Sequence, residues 1–364
     1  MKYYSLNRIL KENALYNVIF GERSNGKTYA VLEYAIKKYF EDGSELAIIR
    51  RMQDDFKGKR GATMFNSLIE NGVITKYSKG KYDTIVYYAG RWYFAKYDEF
   101  HKAEREEEPF AYAFAITAME HDKSTAYPKV RTILFDEFLT RSYYLPNEFV
   151  LFMNVLSTII RQRNDVKIFM LGNTVNKFCP YFEEMGLKHI LQMKKGTIEL
   201  YTYGNSNLTV AVEYAESQII GKKSDSYFAF DNPKLKMITG GEWEIDLYPH
   251  LPIKYKPKQI LYQYFIVFNN ETLHAEIIEA EHGTFTYIHR KTTPIKEDTT
   301  DLIFTTKELS HMYNVRHNIA KPYDKLGQKI YSFFQREKVF YQSNEIGEIV
   351  RNYLMNCQSL IKGV

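Results

Sequence analysis

The segment Gly21-Glu22-Arg23-Ser24-Asn25-Gly26-Lys27-Thr28 constrains this chain more than any other. It fits G-x-x-x-x-G-K-[ST] and lies between the two elements that such a pattern requires. Tyr16 to Phe20 before it is a short apolar run of strand type. After it, from Lys27 to Phe40, Ala30, Val31, Tyr34, Ala35 and Tyr39 recur at helical spacing. Strand, glycine-rich turn and helix in this order make a phosphate cradle. The glycines let backbone N–H groups turn inward, and Lys27 neutralises β- and γ-phosphate oxygens. Thr28 offers a hydroxyl to Mg²⁺, and the helix N-terminus adds its partial positive charge. The expected ligands are ATP and Mg²⁺, with Gly21 through Thr28 as the binding loop.

Leu46 to Ile49 is a second β-type run, ending in Arg50 and Arg51, so strand–helix–strand points to a parallel sheet. Two aromatic runs between Tyr82 and Lys96 flank Ala89-Gly90 and predict a hairpin inserted into the α/β core. The sheet pattern then returns with Thr132 to Phe135, an apolar-faced helix over Asn147 to Ile160, and a strand over Lys167 to Leu171. The Thr132 strand runs into Asp136-Glu137. Alone, such a pair is commonly a solvated turn. Beside a phosphate loop, Asp136 is expected to hold Mg²⁺ through water and Glu137 to polarise the attacking water. A glutamate directly after the metal aspartate favours ATP hydrolysis by the additional-strand class of P-loop NTPases over small-molecule kinases. Asn173, at the end of the next strand, is expected to touch the γ-phosphate or the attacking water.

Arg161 and Arg163 follow the Asn147 to Ile160 helix. Cationic capping of the helix end is the plain reading. Two arginines at one element end after the acid strand favour an arginine finger inserted into a neighbour's ATP site, with Arg161 and Arg163 both candidates for nucleotide contact. The loop Asp55-Phe56-Lys57-Gly58-Lys59-Arg60-Gly61 is either solvated surface or a set of phosphate-backbone contacts. Lys57, Lys59, Arg60 and, past the acid strand, Arg141 are the candidates for DNA.

Composition narrows the classes. The 364 residues suggest about two domains. A formal charge of +5 is too small for a histone-like binder but permits a local basic surface. Aromatic content of 16% argues against long disorder. Two cysteines, Cys179 and Cys357, exclude a disulfide scaffold and a Cys-based zinc site. No run approaches about 18 apolar residues, and the first seven residues lack the apolar core of a signal peptide. The cell interior is the expected compartment, with no membrane partner. The nine histidines show no metal-ligand cluster in the sequence; His311 and His317 are six apart, wrong for one helical face.

The expected division is a P-loop ATPase domain over 1–204, a linker region over 205–250 and a small α+β domain over 251–364. In the last, Ile260 to Phe268, Leu273 to Ala280 and Thr284 to Arg290 read as strands. Thr306 to Asn318, Tyr323 to Arg336 and Glu345 to Asn356 read as helices. The first of these strands holds no Asp or Glu, which a two-metal nuclease would need. Glu276, Glu279 and Glu281 read as a solvated face.

With these motifs placed, the chain resembles the DNA-packaging ATPases of small protein-primed tailed phages. The likeness is carried by Phe20 to Ala30, Ile49-Arg50-Arg51, Lys123 to Val130, Thr132 to Phe138 and Leu145-Pro146-Asn147-Glu148, and it fades in the C-terminal third. It implies a homo-oligomeric ring, expected as a pentamer, that docks on the portal (connector) of a prohead and pumps double-stranded DNA inward. It places Arg161 as the finger and Lys123 near the subunit boundary, sensing a neighbour's nucleotide. It makes the second domain a vestigial RNase H-like nuclease that meets the portal or a packaging RNA. The work would be done in the host cytoplasm, transiently on the prohead and not in the mature virion. A P-loop helicase or another nucleic-acid translocase, and a non-catalytic nucleotide-switched binding module, are the alternatives.

Overall fold

The computed structural model describes residues 4–23, 25–100, 102–121, 125–140, 144–145, 147–174, 179–204, 208–216, 248–251, 253–268, 271–281, 283–291, 301–306 and 314–362. The chain divides into two compact units, the first mainly Met1–Trp243 and the second mainly Glu244–Val364.

The first unit is built on one mixed sheet. Its strands are β1 (Tyr16–Gly21), β2 (Glu45–Arg50), β3 (Thr84–Tyr88), β4 (Arg91–Tyr97), β5 (Ala103–Arg105), β6 (Ala111–Ala115), β7 (Val130–Asp136), β8 (Lys167–Asn173), β9 (Ile198–Tyr203) and β10 (Leu208–Ala215). The order is β3-β4-β6-β2-β7-β8-β1-β10-β9, with β5 on β4. From β6 to β10 every neighbouring pair is parallel. The strands β1, β2, β7 and β8 are buried along most of their length, as a parallel sheet covered on both faces demands. The decisive feature is β8, which lies between the phosphate-loop strand β1 and the acid strand β7. That inserted strand is the mark of the additional-strand class.

The helix Lys27–Asp42 turns Val31, Leu32, Ala35 and Ile36 into the core. Beneath it, Leu46, Ile48, Leu134, Phe169 and Leu171 come from three neighbouring strands. At the hairpin, Ala89 and Gly90 both take positive φ, 49° and 76°, the geometry of a type I′ turn. The hairpin is not inserted into the parallel core; it extends the sheet's edge, because β4 pairs antiparallel with β6. The first unit also runs past residue 204. Strand β10 pairs with β1 from Tyr16↔Val210 to Gly21↔Ala215, so 208–215 belongs to the central sheet rather than to a linker.

In the second unit the sheet order is β15-β14-β11-β12-β13-β16. Its strands are β11 (Ile260–Phe268), β12 (Glu271–Ala280), β13 (Gly283–Arg290), β14 (Leu302–Thr305), β15 (Val315–Arg316) and β16 (Val339–Tyr341). The first three form an antiparallel meander, and β14 and β15 add in parallel beside β11. One face packs Tyr264, Ile266, Leu273, Ala275, Ile277 and Ile288 against Ile330, Phe333, Ile349, Val350 and Tyr353 of the helices Lys325–Gln335 and Asn344–Lys362. The helix expected over Thr306 to Asn318 is not formed at its C-terminal end. Val315 and Arg316 are extended there, because Ile303 and Phe304 offer them a strand edge; 307–313 lie outside the described residues. Glu279 and Glu281 are exposed as expected, but Glu276 is buried at 7% exposure and accepts a hydrogen bond from Tyr255. Among the described residues no helix is long and apolar enough to cross a membrane.

Candidate active site

The cleft above the C-terminal ends of β1, β7 and β8 is lined by Asn25 to Tyr29, Asp136, Glu137 and Leu171 to Asn173. Two glycines shape its floor. Gly26 enters the helix at φ 89°, a left-handed conformation that glycine adopts without steric cost. A Cβ on Gly21 would come within 2.4 Å of the Ala215 carbonyl oxygen, so β10 excludes any larger residue there.

Lys27 is 5% exposed, and its ammonium donates to the Glu22 carbonyl at 2.6 Å, to Asn25 Oδ1 at 3.2 Å and to Asn173 Oδ1 at 3.4 Å. Burial pushes its pKa down to about 8, against the opposing pull of the Asp136 and Glu22 charges. Thr28 Oγ1 donates to Asp136 Oδ1 at 3.1 Å. Adjacent hydroxyl and carboxylate oxygens of this kind are the hard donors that suit Mg²⁺. Thus Lys27, Thr28, Asp136 and Asn173, far apart in sequence, meet in one place. The Thr174 N–H, donating to the Gly21 carbonyl at 3.1 Å, ties the end of β8 to the start of the loop.

Arg50, at the end of β2, reaches across this group. Its Nη2 donates to Asp136 Oδ2 and its Nη1 to Glu137 Oε2, each at 2.7 Å. Burial drives the Asp136 carboxyl upward in pKa, and the Arg50 charge is the main force against that shift. Glu137 has φ 61°, a left-handed backbone for a non-glycine residue, and an exposed side chain. Such strain is found at functional sites because the surrounding structure sustains it.

Arg51 turns the other way. It forms a bidentate pair with Glu148, through Nε at 2.8 Å and Nη2 at 2.9 Å, and also donates to the Phe138 carbonyl at 2.9 Å. With Glu148 fully buried, this clamp fixes the helix Glu148–Ile160 and the turn after Asp136 to β2. Neither arginine was singled out for chemistry from the sequence. The only signal was the charged pair closing an apolar strand.

Arg163 lies outside the cleft lining of its own chain and forms a structural clamp. Its guanidinium donates to the carbonyls of Val130 at 2.8 Å, Ile159 at 3.0 Å, and Tyr127 and Pro128 at 3.1 Å. Arg161 ends the same helix at φ 54°, is exposed and reaches the Thr125 carbonyl at 3.2 Å. It too is absent from the cleft lining of its own chain. Lys57, Lys59 and Arg60 are exposed, and two local aspartates offset their charge: Lys57 pairs with Asp54 at 2.6 Å, and Arg60 lies 4.0 Å from Asp55. Glu22 is partly buried and Arg23 exposed at the loop's start. Ser24, Lys123 and Arg141 lie outside the described residues.

With that geometry in view, the model of the podovirus DNA encapsidation protein (Gp16) family matches residues 1–356. The chain belongs to this family. Among curated members, the DNA packaging protein of Bacillus phage B103 is 28% identical over 183 residues, covering 49% of this chain and 50% of that one. That of Bacillus phage phi29 is 26% identical over 183 residues, covering 50% and 49%. Each match spans about half the length of the curated relative. Two solved structures cover nearly all of the chain. The phi-28 gp11 DNA packaging motor has a TM-score of 0.53 at 16% identity, covering 98% of both chains. The phi29 viral genome packaging motor assembly has a TM-score of 0.53 at 18% identity, covering 98% of this chain and 99% of that one. At such identities the likeness establishes the fold of this Gp16-family chain, which is shared with these packaging motors.

Proposed function

We propose that this chain is the ATPase of a homo-oligomeric ring that drives double-stranded viral DNA into a preformed prohead. The observation that carries the reading is the meeting of Lys27, Thr28, Asp136, Glu137 and Asn173 at the C-terminal ends of the central strands of a sheet with an inserted strand, in a chain of the Gp16 family. Lys27 binds the β- and γ-phosphates of ATP, assisted by the N–H groups of Gly21 to Thr28. Thr28 and Asp136 hold Mg²⁺, which when bound neutralises phosphate charge. Glu137 orients and polarises the attacking water, and Asn173, already beside Lys27, registers the γ-phosphate. Arg161, exposed and outside its own cleft, serves a neighbour's site in trans.

Three features support the remaining assignments. The chain's likeness to DNA packaging motors of known structure favours a ring, which we take as a pentamer, docked on the portal. The antiparallel meander, with β14 and β15 added in parallel beside β11, supports a nuclease-like ancestry for the second unit. Its β11, without a carboxylate, favours binding of the portal or a packaging RNA over cutting. The complex works in the host cytoplasm while the prohead fills.

The test is ATP hydrolysis by the full chain with and without duplex DNA, beside a strand-separation assay. Translocation predicts turnover that rises with duplex DNA while the strands stay paired. Unwinding would transfer the reading to a helicase, and no turnover under any condition would reduce it to a nucleotide-switched binder.

A further inference from the structure

We propose that His274, Glu276 and His289 of the second unit form a binding site for one Zn²⁺-class cation, bridging β12 and β13. His289 is fifteen residues from His274 in sequence, and the sheet register brings the two together. His274 and Glu276 are two apart on β12 and so share a face, and His289 is the direct cross-strand partner of His274. One ligand atom from each lies within 4.8 Å of the others. This face is opposite the one that packs Leu273, Ala275 and Ile277 against the helices.

Three observations favour a metal over an ordinary polar cluster. First, His274 Nε2 is buried and makes no hydrogen bond, a costly state for a ring nitrogen unless something else is its partner. Second, His289 Nε2 lies 3.8 Å from Glu276 Oε2, too long for a hydrogen bond. Ligand atoms about 2.0–2.2 Å from a tetrahedral Zn²⁺ stand about 3.4 Å from one another, so small rotamer adjustments would close the set. Third, the outer partners of a metal site are in place. His289 Nδ1 lies 3.2 Å from the Arg290 carbonyl, so its proton is held there and its Nε2 lone pair faces Glu276. Tyr255 donates to the Glu276 carboxylate. Phe265, stacked at 4.9 Å, fixes the ring of His274.

Two imidazoles with one carboxylate select a borderline transition cation over Mg²⁺, which prefers oxygen donors and water. Lys291, whose ammonium is 5.5 Å from the Phe265 ring, is the adverse charge nearby, and the Glu276 carboxylate offsets it. His289 is one-quarter exposed, leaving a side from which water can complete four-coordination. The ion would staple the second and third strands of the meander. Its three ligands all belong to the second unit, and the proposal does not depend on the function assigned to the phosphate cleft.

The experiment uses the full-length protein, stripped with a chelator and dialysed against Zn²⁺ in excess Mg²⁺, with metal content and thermal unfolding as readouts. The expected result is one Zn²⁺ per chain, a melting temperature that rises with Zn²⁺, and loss of both effects in His274→Ala/His289→Ala. Tyr255→Phe leaves all three ligands and should weaken Zn²⁺ about 10- to 100-fold, as removal of an outer partner does. Should the double variant fail to fold, His289→Gln at the partly exposed position supplies the same comparison. Wild-type protein that retains no Zn²⁺, or variants that retain as much as wild type, would overturn the proposal.

Discussion

Replacing Lys27 with Met keeps an unbranched apolar stem one atom shorter and removes the charge. The consequence for stability can be worked from burial. The ammonium is desolvated and its pKa falls from 10.5 to about 8. The folded chain therefore releases this proton before the unfolded chain does, and stability rises with pH between those two values. Below pH 8 the full cost of keeping the charge indoors is present, about 3 kcal/mol at 1.36 kcal/mol per pH unit. Between about pH 7.5 and 9.5 the wild type should recover about 2 kcal/mol of that cost, and Lys27→Met should recover none of it. Tyrosines whose pKa values burial raises, such as Tyr4 and Tyr112, contribute the opposite slope, but equally in both proteins. Urea melts of both chains at the two pH values give the difference of differences. Saturating ATP should flatten the wild-type slope, since phosphate charge holds the lysine protonated, and should leave the variant unmoved. Parallel pH slopes in the two unliganded proteins would refute the argument that Lys27 is held in a desolvated, phosphate-ready state.

Arg51→Ala removes a bidentate partner from the fully buried Glu148 and should cost about 3 kcal/mol or more, read from denaturant midpoints. Glu137→Gln should bind ATP with Mg²⁺ at near-normal affinity yet fail to release phosphate; near-normal turnover would remove Glu137 from its role. Arg161→Ala should lower turnover by about 10³ to 10⁵. In mixed rings it should silence a neighbour rather than its own site, so activity independent of protein concentration would argue against it. Loss of Lys59 or Arg60 should reduce the salt slope of duplex binding by about 1 each. Loss of Lys57, already paired with Asp54, should change it less.

The elements that the sequence made legible are those whose signal is local. The P-loop strand and helix, the acid strand and β8 are each a continuous apolar run or a helical stripe, and each forms within a few residues of its expected bounds. Strand β10 falls in the stretch that reads from the sequence as the start of a linker. Leu208 to Ala215 is as apolar as β8, yet it follows the expected end of the sheet, and only its pairing with β1 reveals where it belongs. Two-residue β15 fails for a different reason. Val315-Arg316 has no strand signal of its own and is extended because β14 presents an edge.

The candidate site divides along the same line. Gly21 to Thr28 and Asp136-Glu137 announce themselves because their residue types are tied to consecutive positions. Arg50 carries no such tag. It is 86 residues from Asp136, and it meets both acids only because β2 and β7 are parallel neighbours that end at the same level. That placement changes the charge balance of the cleft. Asp136 and Glu137 face Arg50 on one side, and Lys27, through the neighbourhood of Thr28, on the other, so two cations offset two acids before any nucleotide arrives. An aspartate buried at this depth would otherwise be driven toward its neutral form, which could not hold a divalent ion. Arg50 thus opposes the loss of charge at Asp136 and also pairs with the exposed Glu137. Its contribution rests on strand order, which no single stretch of sequence records.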